Sequence, residues 1–222
     1  LGDRPITPQV LVDFAEHLLM DQRMAGASAR LIVTGARSYL DWRRKHGEPI
    51  PPLDMPPLPR IRLAVAHVLR GEQLAAYMTA CSALIQEPIR TLARLLPLTG
   101  LRVSEACRLA AKDVRATSGA WILMVRDSKG DDREVPVLPG GNGLVRDYLV
   151  RVRPILPESP RLGAQDQFIF PNRAGGPAHP PLVRRWLHRV RSHLGLKRLT
   201  PHLLRHTYGT MLEESGIPSL VI

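Results

Sequence analysis

Cysteine is scarce in this sequence. Cys81 and Cys107 are the only two, and neither belongs to a spacing that would close around a metal ion. Both lie in apolar helical contexts and are expected as buried thiols in a reducing compartment. No apolar run approaches the length of a membrane span, and the amino end has no signal-peptide pattern, so nothing argues for export. No glycine loop of the phosphate-cradling kind is present, and no internal repeat. Acidic residues are also few, 20 Asp+Glu against 31 Lys+Arg, a net charge of +11 with a pI near 10.7. Residues 61–222 hold most of that excess, 23 basic against 13 acidic. Between Asp166 and Glu213 there is no acidic residue at all, whereas eight Arg or Lys fall there. A solvated helix face normally mixes both signs. So one-sided a stretch points to a polyanion, nucleic acid ahead of an acidic membrane surface. Arginine outnumbers lysine 27 to 4, a bias that codon usage could produce and from which no function is drawn.

What is present is ordinary for a globular chain: 222 residues, 44% apolar and 23% charged, enough for one or two domains with a real core. Leu1 is not a Met, so a fragment, a processed form or the ordered part of a longer protein is expected. Apolar spacing predicts helices over residues 9–20 and from Ser28 to about His46, where Gly47 ends the second. Six prolines between Glu48 and Arg60 exclude helix and central strand, and predict an extended linker and domain boundary. Beyond it, helices are expected from Gly71 to before Pro88 and from Glu87 to Leu96, with Gly100 breaking the chain before another. Trp121–Arg126 and Arg133–Leu138 read as the two strands of a hairpin, and Pro136 puts the second at an edge. Further helices are predicted over 143–152 and 182–194, with Phe168-Ile169-Phe170 a short buried piece between them. The helix over 182–194 carries Arg184, Arg185, Arg189 and Arg191. With Lys197 and Arg198 these are the candidate DNA contacts, on a segment that is partly core and partly basic surface. Its few aromatics and leucines do not suit lipid.

The chemistry-bearing stretch is Thr200-Pro201-His202-Leu203-Leu204-Arg205-His206-Thr207. Thr200 is a suitable N-cap and Pro201 suits the first helical position. His202 and Arg205 then share the first turn, at the positive end of a helix, where a phosphate is the natural ligand. Upstream, Thr99-Gly100-Leu101-Arg102-Val103-Ser104-Glu105 places a second arginine after a helix break. In the hairpin turn, Ser128-Lys129-Gly130 offers an ammonium.

Taken in order, these three motifs resemble those of the tyrosine recombinases, the phage integrase family. The resemblance covers residues 72–222 well; residues 1–58 look like the family's helical core-binding domain by position and pattern only, with 59–222 as catalytic domain. It implies a mainly α fold with a small antiparallel sheet, arranged as a two-domain clamp on double-stranded DNA. Arg102 and Arg205 would grip the two non-bridging oxygens, since planar guanidiniums suit bidentate contact. Lys129 would protonate the leaving 5′-oxygen, and His202 would hydrogen-bond the phosphate or accept the nucleophile's proton. Glu105 would orient Arg102. The resemblance further implies a cytoplasmic enzyme that acts as a homo-tetramer on DNA, without metal or cofactor. The pattern breaks at its end. The family's nucleophilic tyrosine follows the second arginine motif at some distance, and no such motif precedes Ile222. Tyr208, three residues after Arg205, matches a packing position instead. The polypeptide as it stands is therefore expected to bind DNA and not to cleave it. A type IB topoisomerase and a non-catalytic helix-turn-helix regulator are the alternatives.

Overall fold

The computed structural model describes residues 6–58, 67–126 and 132–216. The chain divides into two compact units, Leu1–Val65 and Ala66–Ile222. In the first, α1 (Gln9–Glu16) runs into a π-helical turn (His17–Asp21) and is followed by α2 (Gly26–Lys45). Leu11, Ala15 and Leu18 recur at helical spacing and pack with Ala29 and Val33 of α2. The proline-rich stretch after α2 carries no helix or strand through Leu58, as its missing N–H groups dictate. It is nevertheless more than a spacer. Ile50, Leu53 and Leu58 are buried in the small core, and Arg30 Nη2 donates to the Leu58 carbonyl at 3.2 Å. Apolar residues set between prolines give an extended backbone something to bury. The last residues of the expected linker, Pro59 and Arg60, lie outside the described residues.

The second unit contains α3 (Gly71–Leu84), α4 (Ile89–Thr99), α5 (Val103–Arg108), β1 (Val114–Thr117), β2 (Ala120–Val125) and β3 (Arg133–Pro136). It continues with α6 (Pro139–Asp147), extended by a π-helical turn over Tyr148–Val152, then α7 (Pro180–His193) and α8 (Pro201–Glu214). The chain is thus mainly helical with a small antiparallel sheet. Helix α4 is its centre. Nearly every side is buried, and it touches α3, α5, α6, α7 and α8. A helix apolar all round belongs inside a core rather than on a surface. Tyr77 of α3 is fully buried and donates its hydroxyl to the Ala93 carbonyl of α4 at 2.7 Å. Cys81 and Cys107 are buried as expected, and burial pushes both thiols up to about 11.

The sheet has the order β1-β2-β3, so the predicted hairpin β2–β3 carries an additional strand. Strand β1 is largely exposed, so its sequence lacks the apolar alternation that marks a half-buried strand. It is joined to β2 through Ser118 and Gly119, the latter at φ +99°. Pro136 sits on the outer strand β3, opposite Ile122, where its missing N–H costs no ladder bond. Helix α6 begins at Pro139, four residues before the expected start. The run Pro-Gly-Gly-Asn-Gly has poor helix propensity, and tertiary contact overrides it. Leu138 N–H donates to the Leu98 carbonyl at 3.0 Å, and a Cβ on Gly141 would meet Val137 Cγ1 at 2.5 Å.

Candidate active site

The junction of α4 and α5 is built by Gly100. Its left-handed conformation (φ +59°) closes α4, and its N–H donates to the Leu96 carbonyl at 3.0 Å. A side chain there would also collide with Tyr208, because an added Cβ would stand 2.3 Å from Tyr208 Cδ1. Leu101 then turns inward, Arg102 is extended and α5 starts at Val103. Glu105 reaches back across this start. Its Oε2 accepts the Arg102 backbone N–H at 2.7 Å, and its Oε1 accepts Arg102 Nη1 at 2.8 Å. The expected pairing of Arg102 with Glu105 therefore arises as a helix-capping contact rather than across a helix face. The Arg102 side chain is 60% exposed, so this ion pair adds at most ~1 kcal/mol to stability. What it fixes is the direction in which the guanidinium points.

Helix α8 delivers the second arginine. Thr200 Oγ1 accepts the Leu203 N–H at 3.2 Å, and Pro201 occupies the first turn, as the sequence predicts. Leu203, Leu204, Thr207 and Tyr208 face the core, leaving His202, Arg205 and His206 on the outer side. Arg205 Nη1 donates to the Gly100 carbonyl at 2.6 Å, which ties α8 to the α4–α5 junction. Its acidity shows what surrounds it. The Arg205 guanidinium is held below its ordinary value, by burial first and then by the positive charge of Arg102, with Arg133 adding to the effect and Glu105 opposing it. Three guanidiniums thus crowd around one carboxylate. An anion placed among them would relieve that repulsion.

Arg133, the first residue of β3, was not among the expected site residues. Its Nη2 donates to Glu105 Oε2 at 2.8 Å. The signal for it was present in the sequence: strand alternation puts Arg133 on the same face as the buried Val135. An arginine facing inward needs a carboxylate partner. His202 is exposed, and its Nε2 lies 3.0 Å from Nε2 of His206. His206 is held below the usual histidine range, chiefly by burial and then by His202, Arg205 and Arg198. Lys129 lies outside the described residues. Among them there is no group of three His, Cys, Asp or Glu able to hold a metal ion. Tyr208 donates to the Pro136 carbonyl at 3.2 Å and is 3% exposed, so it packs. Tyr77 and Tyr148 are likewise buried, with hydroxyls donating to Ala93 and Ile169 carbonyls, and Tyr39 belongs to the first unit.

The other predicted contacts lie on α7 and just after it. Val183, Leu187 and Val190 form its buried stripe. Arg184, Arg185, Arg189, Lys197 and Arg198 are exposed, and Arg191 is half-buried. Arg189 stacks over the Trp186 ring at 4.6 Å, and Arg191 Nη2 lies 3.0 Å from His188 Nε2. None of these six cations forms an ion pair among the described residues. Arg184 is close enough to Cys107 to act on its thiol, which puts the start of α7 beside α5. Next to Arg102, an open depression of about 550 Å³ runs past Arg108, Lys112 and Arg126. Lys112 and Arg126 are paired there with Asp166 and Asp113 at 2.6 and 2.8 Å.

Known proteins carry the same pattern. Residues 67–222 match the Phage integrase family. The chain is 35% identical over 202 residues to the tyrosine recombinase XerC of Rhodospirillum centenum, covering 86% of this chain and 56% of that protein. It is 34% identical over 134 residues to XerD of Corynebacterium glutamicum, covering 60% and 42%. It therefore spans about half the length of these relatives. Among solved structures, its fold is similar to that of the XerH site-specific recombinase in a post-cleavage complex with a palindromic difH substrate. The TM-score is 0.70 at 21% identity, over 95% of this chain and 60% of that one. Two guanidiniums brought together from distant motifs, a mainly helical fold with one small sheet, and a family pattern spanning most of the second unit agree, and the chain belongs to the phage integrase family, the tyrosine recombinases.

Proposed function

We propose that the intact protein is a site-specific tyrosine recombinase, and that this chain supplies its DNA contacts and its phosphate clamp. The observation that carries the reading is the meeting of Arg102 and Arg205 at the Gly100 junction, where burial first and then the charge of Arg102 hold the Arg205 guanidinium below its ordinary value. In the proposed reaction the two guanidiniums hold the non-bridging oxygens of one phosphodiester and stabilise the charge that grows on them. A tyrosine hydroxyl attacks the phosphorus, forming a 3′-phosphotyrosine and breaking the bond to the 5′-oxygen. Lys129 gives a proton to that oxygen, and the tyrosine's own proton passes to His202, or to solvent where His202 hydrogen-bonds the phosphate instead. Rejoining reverses these steps with a second 5′-hydroxyl, and the phosphotyrosine conserves the bond energy, so no metal or nucleotide is required. The hydroxyls of Tyr77, Tyr148 and Tyr208 are bonded to carbonyls within the second unit, which supports a nucleophile supplied from outside these residues.

In this reading residues 1–58 form a core-binding domain and 59–222 the catalytic domain, and the arginines of α7, with Lys197 and Arg198, take DNA phosphates. The relatives' names support recombination as the outcome. Action as a tetramer in the cytoplasm is part of the proposal. The test is a nicked suicide duplex, bearing a site selected from random DNA, offered to the intact protein. A detergent-resistant adduct on the 3′ end, lost in Arg205→Ala, is expected. No adduct would leave only a DNA-binding regulator. Relaxation of supercoils without pairing of two sites would favour a type IB topoisomerase.

A further inference from the structure

Glu105 is asked to do two incompatible things. It orients Arg102, accepting both its backbone N–H and Nη1, yet a carboxylate so close would cancel the charge that Arg102 must offer a phosphate. Its side chain is only 14% exposed, so water screens little of that field. Arg133 resolves the conflict by donating to the same Oε2 at 2.8 Å. We propose that Arg133 is a positioning residue of the clamp: by neutralising Glu105, it lets that carboxylate aim Arg102 without quenching it.

The charges fit the chemistry. Three guanidiniums against one carboxylate leave two positive charges in the described cluster. The pentacovalent phosphorane formed when an alkoxide attacks a phosphodiester carries two negative charges on its non-bridging oxygens. Without Arg133 the cluster falls to a single positive charge, and Glu105 pairs with Arg102 alone. Nor is Arg133 required to hold the sheet. It sits on the outer strand β3, paired to β2 through backbone opposite Val125, and among the described residues its ion pair is with Glu105.

The inference rests on the recombinase reading, and the experiment separates the two. Single-turnover cleavage of the suicide duplex is measured for the intact protein, Arg133→Gln, Arg133→Lys and the double variant Glu105→Gln/Arg133→Gln. DNA affinity and melting temperature serve as controls for folding. Arg133→Gln should lose roughly 10- to 100-fold in cleavage rate, less than the ~10²–10³ typical of a group that touches the charge directly. Arg133→Lys, which keeps the charge, should stay within a few-fold of the parent. The double variant restores two net positive charges and should cleave faster than Arg133→Gln alone. A methylphosphonate at the scissile position, lacking one non-bridging charge, should shrink the Arg133→Gln defect. A double variant no faster than Arg133→Gln, or an Arg133→Lys as slow as it, would overturn the charge-balancing role while leaving the recombinase reading intact. If the parent protein itself forms no adduct, both fall together.

Discussion

Tyr208 illustrates how a single side chain can be mistaken for a catalyst and how its surroundings decide the matter. Its ring fills the space over Gly100, and its hydroxyl donates to the Pro136 carbonyl, so it joins α8 to both the α4–α5 junction and β3. Tyr208→Phe should cost only the ~0.5–1.5 kcal/mol of one hydrogen bond in a denaturant melt. Adduct formation by the intact protein should survive it, and complete loss of cleavage would mean that the hydroxyl reacts. His206 makes a second residue-level prediction. Because its folded value is depressed, the unfolded chain binds the extra proton more readily. The stability it contributes is full above the ordinary histidine value of about 6.5 and is lost as pH falls through the lowered folded value. A proton on both rings would also set two donors against each other at the 3.0 Å contact with His202. Urea midpoints of His206→Asn should therefore fall less steeply on the acid side than those of the parent. An unchanged slope would remove His206 as the titrating group.

Among the elements, α8 carries both stability and chemistry, and its first turn is where they meet. Thr207 faces inward, accepting the Leu69 N–H at 3.0 Å and donating to the Leu203 carbonyl, which ties the start of the second unit to the same helix. Thr200 caps the end that holds His202 and Arg205. Replacing it with Ala should cost ~0.5–2 kcal/mol by thermal or chemical denaturation. The loss should fall more heavily on cleavage than on DNA affinity, since fraying this turn frees Arg205 from the Gly100 carbonyl. Equal losses in the two would show that the cap serves stability alone. Helix α8 was legible in advance because Thr-Pro at its start is local chemistry. Strand β1 was not, since it is exposed and is held by its partner rather than by any pattern of its own.

Across the whole molecule, the distribution of charge matters more than its total. The stretch without acidic residues includes α7, the connection after it and most of α8, where Arg184, Arg185, Arg189, Lys197 and Arg198 are exposed with no carboxylate paired to them among the described residues. Binding through such a surface should weaken steeply with salt. Arg185→Gln and Arg189→Gln should each lower the slope of log Kd against log salt by about 0.9 for every phosphate contact removed. A slope unchanged in both variants would take α7 out of the DNA interface. No helix among the described residues is long and apolar enough to cross a membrane.

Local chemistry alone determined where most helices lie, that Pro136 is on an edge strand, that both thiols are buried, and that Arg102 and Arg205 sit in motifs suited to a phosphate. These follow from periodicity, capping residues and proline's missing donor, all of which act over a few residues. Only the tertiary structure decided that Arg205 bonds the Gly100 carbonyl, that Arg133 shares Glu105 with Arg102, that Tyr208 is sealed against Gly100, and that the proline stretch packs down on α1 and α2. Contacts of that kind join residues far apart along the chain, and a carboxylate's choice between two arginines depends on distance and burial, which no spacing along a sequence records.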